Sequence, residues 1–146
     1  MRYNESIEGW QFETIDCRMQ LIQIDFRLGL LISDGTSDIW VRIETAARIV
    51  SGTNATLFDP ATIQSLVPIL DFFNAKVRGV NIDKTGRLEV RFEDGRLIEV
   101  QPDRSFEAWQ VEYACKGEKL MLVCAPGSEV VVFRESSVER DASRLN

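Results

Sequence analysis

The 146-residue chain contains no histidine. That removes the commonest general base, the commonest transition-metal ligand and every Ser-His or Cys-His nucleophile pair. Cysteine is scarce. Cys17, Cys115 and Cys124 form an odd set without a C-x-x-C, so neither a disulfide framework nor a zinc site is signalled. Cys115 and Cys124 flank the Lys116–Lys119 turn unsymmetrically, with Cys115 facing Leu120, which predicts free thiols. The glycines make no G-x-G-x-x-G, G-x-x-x-x-G-K-[ST] or G-x-S-x-G pattern. Gly79, Gly86 and Gly95 read as strand and turn residues, so no cofactor and no metal is expected.

Positive charge is also short. The 17 Lys and Arg are scattered among 23 Asp and Glu, giving a net charge of −6. Nucleic-acid binders carry a basic stripe, so nucleic acid is disfavoured, whereas a basic protein partner suits the acidity. No apolar run approaches the ~20 residues of a membrane helix, and the first ten residues lack a signal-peptide apolar region. These features predict a cytoplasmic protein with no membrane partner.

What is present is alternation, and it occurs twice. Val77, Val80, Ile82 and Asp83 follow Met19, Ile22, Ile24 and Asp25 at an offset of 58. Leu88, Val90, Phe92, Asp94 and Gly95 follow Leu28, Leu30, Ile32, Asp34 and Gly35 at an offset of 60. Each stretch reads strand, turn, strand, Asp-Gly turn, strand. The extra residues fall in the Lys84–Arg87 turn, where insertions cost little. For the Asp94-Gly95 hairpin, a three-residue Asp94–Arg96 loop pairs Phe92 with Ile98 and Val90 with Val100, on one apolar face. The opposite face then carries Arg87, Glu89, Arg91, Glu93 and Glu99, with Arg91 across from Glu99, as a solvated sheet surface.

Between the two stretches lies the clearest helix signal. Asp59 suits the N-cap and Pro60 the first helical position. Ile63, Leu66, Val67, Leu70 and Phe73 make an apolar stripe at helical spacing, and Pro68 bends it. The fold expected is therefore α+β and mostly antiparallel β, a single domain over 1–133. Two related three-stranded meanders, about 17–45 and 75–103, are joined by one helix over 60–74. Strands in 106–133 add a C-terminal hairpin and a central last strand, and the whole closes as a barrel-like sheet or sandwich. Residues 134–146 read as a flexible tail.

Candidate binding residues follow from exposed-looking aromatics among acids. Glu5, Glu8 and Glu13 surround Trp10 near the N-terminus, and Glu107 stands two residues before Trp109. The first group reads either as a solvated sheet edge or as the rim of a docking surface around Trp10. The second reads either as a sheet-edge pair or as a stacking-and-acid pair for a sugar, and both supply candidate partner-binding residues. The repeat-related Asp25 and Asp83 read as turn residues that bond their own backbone, or as a carboxylate pair flanking a glycosidase-like or metal site. No residue is assigned a catalytic role.

Asp94-Gly95, then Glu107-Ala108-Trp109, then Cys124-Ala125-Pro126-Gly127 give an order D-G, E-A-W, C-x-P-G. This order resembles a small bacterial domain family of unknown function, common in actinobacteria, over most of residues 17–133. The resemblance brings no established activity. By analogy of class, small acidic single-domain bacterial proteins of this kind are similar to immunity proteins, which neutralise a toxin by binding it. The leading expectation is a non-enzymatic protein-binding module of that type. The alternatives are a small-ligand or sugar-binding barrel and a homodimer or larger homo-oligomer built by pairing exposed strands.

Overall fold

Apolar side chains at every second position commit a segment to a strand with one buried face. In the computed structural model, which describes residues 1–135, twelve segments are strands, and most of them bury one face in this way. They are β1 (Arg2–Ser6), β2 (Gly9–Ile24), β3 (Leu28–Ser33), β4 (Ser37–Ile43), β5 (Ala47–Ser51), β6 (Asn54–Phe58), β7 (Lys76–Asp83), β8 (Leu88–Phe92), β9 (Leu97–Val100), β10 (Trp109–Cys115), β11 (Glu118–Cys124) and β12 (Val130–Glu135). All pair antiparallel in one sheet of order β12-β11-β10-β4-β3-β2-β7-β8-β9-β5-β6, with β1 on the outer half of β2. The sheet is open. Its path ends at β12 and β6 without joining them, so the expected closure into a barrel does not occur.

The runs β4-β3-β2 and β7-β8-β9 mirror each other about the β2–β7 boundary, and the hairpins beyond them cross over. β5–β6 follows β4 in the chain but pairs with β9. β10–β11 follows β9 but pairs with β4. The connector from Ile43 to Ala47 reaches roughly 14 Å at full extension. Six strand spacings, from β4 to β5 along the path, amount to about 29 Å in a flat sheet. The sheet therefore has to fold back on itself, setting its halves face to face over one core. The two crossing connectors touch where Glu44 N donates to Ala108 O at 2.9 Å.

The spacing of three between Met19 and Ile22, and between Val77 and Val80, is the mark of a bulge. The β2–β3 register slips between Met19 and Leu21, and the β7–β8 register slips between Val77 and Gly79. At each slip the inward set changes parity, and strand twist increases. β2 bends a second time at residues 14–16, where Asp16 takes a positive φ of 60°. There the buried Thr14 hydroxyl donates to Val77 O at 2.7 Å.

Several expectations change. The helix is a 3-10 helix over Ile63–Phe72, not an α-helix starting at Pro60. Thr62 is its N-cap residue, without a side-chain cap bond, while Asp59 instead accepts from Ala61 N at 2.9 Å. With three residues per turn, the buried ridge is Leu66, Ile69 and Phe72. The α-period stripe fails, and Val67, Leu70 and Phe73 are exposed. The β8–β9 hairpin closes as Phe92 N to Arg96 O, so Val90 pairs with Ile98 and Leu88 with Val100. The register is two residues tighter than expected, the apolar face is kept, and Arg91 faces Leu97 rather than Glu99. Gly95 supplies the positive φ of 94° that this turn needs. Cys115 pairs with Glu118 rather than facing Leu120, and all three cysteines are free. β12 is an edge strand rather than a central one. Arg134 and Glu135 belong to it, and the rest of the expected tail lies outside the described residues.

Candidate functional site

β9 presents Ile98 and Val100 to the core and Glu99 to the other face. Even so, Glu99 is only 3% exposed. The crossover explains this, because β5 brings Arg48 directly opposite Glu99. Arg48 Nε donates to Glu99 Oε1 at 2.9 Å and Nη2 lies at 2.8 Å, while Arg87 Nη2 reaches Oε2 at 2.5 Å. Gln101 Nε2 adds a bond at 3.3 Å, and Arg87 also pairs with Glu89. Burial alone raises a carboxyl pKa, but the Arg87, Arg48 and Gln101 hydrogen bonds outweigh it and hold Glu99 below its ordinary range. The group is locked as a carboxylate, the opposite of what a general acid at neutral pH requires.

Beside this cluster a cleft of about 480 Å³ opens between β5, β6, the end of β9 and the start of the helix. Ala46, Ala47, Leu57 and Phe58 give it apolar walls, and Arg48, Asp59 and Glu99 give it charge. The Ser65 hydroxyl accepts from Asp59 N at 2.8 Å, fixing the mouth of the cleft to the helix. The sequence pattern did not single out Glu99 as a buried group. Its only local signal is an acid inside the apolar run Leu97–Val100, and its partner Arg48 arrives through a non-local pairing.

The helix supplies a second surface. Val67, Leu70 and Phe73 repeat every three residues along one ridge, with Ile63 at the helix start, and all four are more than half exposed. From Asp59 to Ala75 there is no Lys or Arg; Asp59 precedes the ridge and Asp71 lies within its span. Asp71 is 78% exposed even though Arg96 reaches it at 2.8 Å.

The residues singled out from the sequence separate. Trp10 is buried, with Lys84 Nζ 4.1 Å from its ring centroid, and so is no exposed anchor. Trp109 is fully buried and donates Nε1 to Gly86 O at 2.8 Å. Glu107 bonds Gln110 instead of pairing with the tryptophan. Glu5, Glu8 and Glu13 are exposed on the β1–β2 hairpin, where Glu5 meets Arg134 at 2.5 Å. Asp25 and Asp83 do not converge. β2 and β7 run antiparallel through Gly9–Asp83 and Arg18–Lys76, so the two aspartates leave opposite ends of that seam. Asp83 serves its turn, accepting from Thr85 N at 2.9 Å and Arg87 N at 3.2 Å. Among the described residues, no group of three or more acidic or thiol side chains has metal-binding geometry. No helix among them is long and apolar enough to cross a membrane.

Fold and surface together define a protein of mostly antiparallel β structure, with one open sheet and a single short helix among the described residues. The chain belongs to a family of unknown function (DUF6188), whose model matches residues 10–134. No curated protein and no solved structure matches it.

Proposed function

We propose that the protein is a non-catalytic binding module that docks a basic protein through the helix ridge Val67, Leu70 and Phe73. The observation that supports this is an apolar ridge left in solvent on an anchored element. Leu66, Ile69 and Phe72 bury the helix's other side, and Phe72 packs on Phe92 with ring centroids 4.2 Å apart. Exposed apolar patches of this kind mark interaction surfaces. Asp59 and Asp71, with the net charge of −6, favour a partner bearing Lys or Arg around an apolar pocket. In its most specific form the module is an immunity-type inhibitor that covers the basic site of a toxin.

Co-expression with the products of the genes adjacent to its own, followed by sizing and affinity measurement, tests the proposal. A neighbour-encoded complex that weakens with salt and loses at least about tenfold in affinity with Leu70→Asp supports it. Absence of a complex with any neighbour, or a complex indifferent to Leu70→Asp, overturns it.

A further inference from the structure

The two ends of the sheet are protected differently. β12 carries Arg134 and Glu135, and Arg134 is held by Glu5 of β1. β6, Asn54-Ala55-Thr56-Leu57-Phe58, has no charge, no proline and no glycine, and its pairing with β5 contains no bulge. Four of its five residues are exposed, and Leu57 is 78% exposed. Proteins ordinarily blunt such an edge with charge, proline, a bulge or a covering element.

The backbone groups on that edge can be assigned. Ser51 pairs with Asn54 across the two-residue Gly52-Thr53 loop, which makes them a hydrogen-bonded pair. Alternation along an antiparallel ladder then bonds Thr56 and Phe58 to β5 and turns the N–H and C=O of Ala55 and Leu57 outward. A second β6, antiparallel and centred on Thr56, sets Ala55 against Leu57 of the other copy twice over. Both are outward-directed pairs, so the register forms four ladder bonds and uses the whole strand. Centring on Leu57 instead sets Ala55 against Asp59, whose N–H is already bonded to the Ser65 hydroxyl. In the Thr56-centred register, Leu57 also covers the small Ala55 of its partner on the outer face.

Charge selects the same edge. Each chain carries −6, so two copies repel except where acids are absent. β6 has no acid, and Arg48 stands opposite Leu57 on β5. We propose that β6 pairs with β6 of a second copy, joining two sheets into one across a two-fold axis. The contact is small, so the dimer is reversible, and screening of the like charges makes it tighter as salt rises. This is the reverse of the salt dependence expected for docking a basic partner on the helix ridge.

Sedimentation velocity on the purified chain, over a concentration series at low and high salt, tests this directly. Wild type is expected to form a concentration-dependent dimer that salt strengthens. Leu57→Lys places a charge on the edge and Ala55→Pro removes an outward N–H. Each should weaken self-association at least about tenfold while leaving the far-UV spectrum unchanged. If Ala55→Pro disturbs the fold, Leu57→Lys, whose side chain is already in solvent, carries the test. Leu70→Asp should leave the dimer intact. A wild type that stays monomeric throughout, a Leu57→Lys variant that dimerises like wild type, or a dimer abolished by Leu70→Asp overturns the proposal without touching the hetero-complex test.

Discussion

In β2–β3–β4 the register slips between Met19 and Leu21, and in β7–β8–β9 it slips at the equivalent Val77 and Gly79. Ile22 faces Leu30 as Val80 faces Val90, and Leu28 faces Ile43 as Leu88 faces Val100. The outer faces of the two units diverge. On the first, Arg42 lies 5.3 Å over the Trp40 ring and pairs with Glu112 of β10 at 3.4 Å, both side chains partly exposed. Trp40 leans on Gly29, whose added Cβ would lie 3.6 Å from the ring. On the second, the position matching Arg42 is Glu99, sunk beneath two arginines. Inward residues thus set the backbone and its bulge, while outward residues at the same positions are free to become a stacked aromatic or a buried ion cluster.

Four probes bear on that comparison, from the largest expected effect to the smallest: the paired leucines, the matched Glu99 and Arg42, pH, and Gly29. Leu28 and Leu88 are equivalent and fully buried. Leu28→Ala and Leu88→Ala should each cost about 3 kcal/mol in denaturant unfolding. A loss below about 1 kcal/mol at either would break the equivalence of the two positions. Glu99→Gln leaves Arg48 and Arg87 without their carboxylate. Because both arginines are partly in solvent, the expected loss is about 1–2 kcal/mol by thermal or chemical melting. Arg42→Gln, in the matching position, should cost less than about 1 kcal/mol, as partly exposed pairs do.

The third probe is pH. Glu99 titrates lower in the folded state than unfolded, so as pH falls the unfolded chain takes up its proton first. The stability it contributes is complete above the ordinary carboxylate range and is lost as pH descends through the depressed value. Glu99→Gln should therefore flatten part of the acid limb of a stability-versus-pH curve, and an unchanged limb would remove Glu99 from the account. The smallest effect is expected for Gly29→Ala. Its new Cβ meets Gln23 Cβ at 3.4 Å and Trp40 at 3.6 Å, ordinary contact distances, so stability should move by no more than about 0.5 kcal/mol.

The mostly antiparallel strand content was legible because its signals are local. The Met19-x-x-Ile22 and Val77-x-x-Val80 spacings recorded the bulges, and the Asp-Gly pairs recorded turns whose glycines take φ near 93° and 94°. Inward parity also survived a register that was misplaced by two residues, since a shift of two returns each side chain to its own face. The helix type was not legible. Ile63, Val67 and Leu70 fit a 3.6-residue period as well as Leu66, Ile69 and Phe72 fit a period of three, and packing chose the latter. The tryptophans misled because acids near them in sequence say nothing of their own burial: Glu13 faces away from Trp10 on β2, Glu5 sits opposite Trp10 on β1, and Glu107 precedes β10. Glu99 was out of reach because Arg48, 51 residues away in the chain, is delivered by the hairpin crossover.

That crossover has a consequence for how the chain acquires its shape. Neither half can complete its own layer: β4 waits for β10 from the far side of the sequence, and β9 waits for β5. Cutting the polypeptide between Phe58 and Lys76 would yield two pieces that each lack a flank, so neither should hold structure alone, while the mixed pieces should reassemble. Unfolding should then be all-or-none and its reverse slow, paced by the long-range closures that both connectors demand before either layer is sealed.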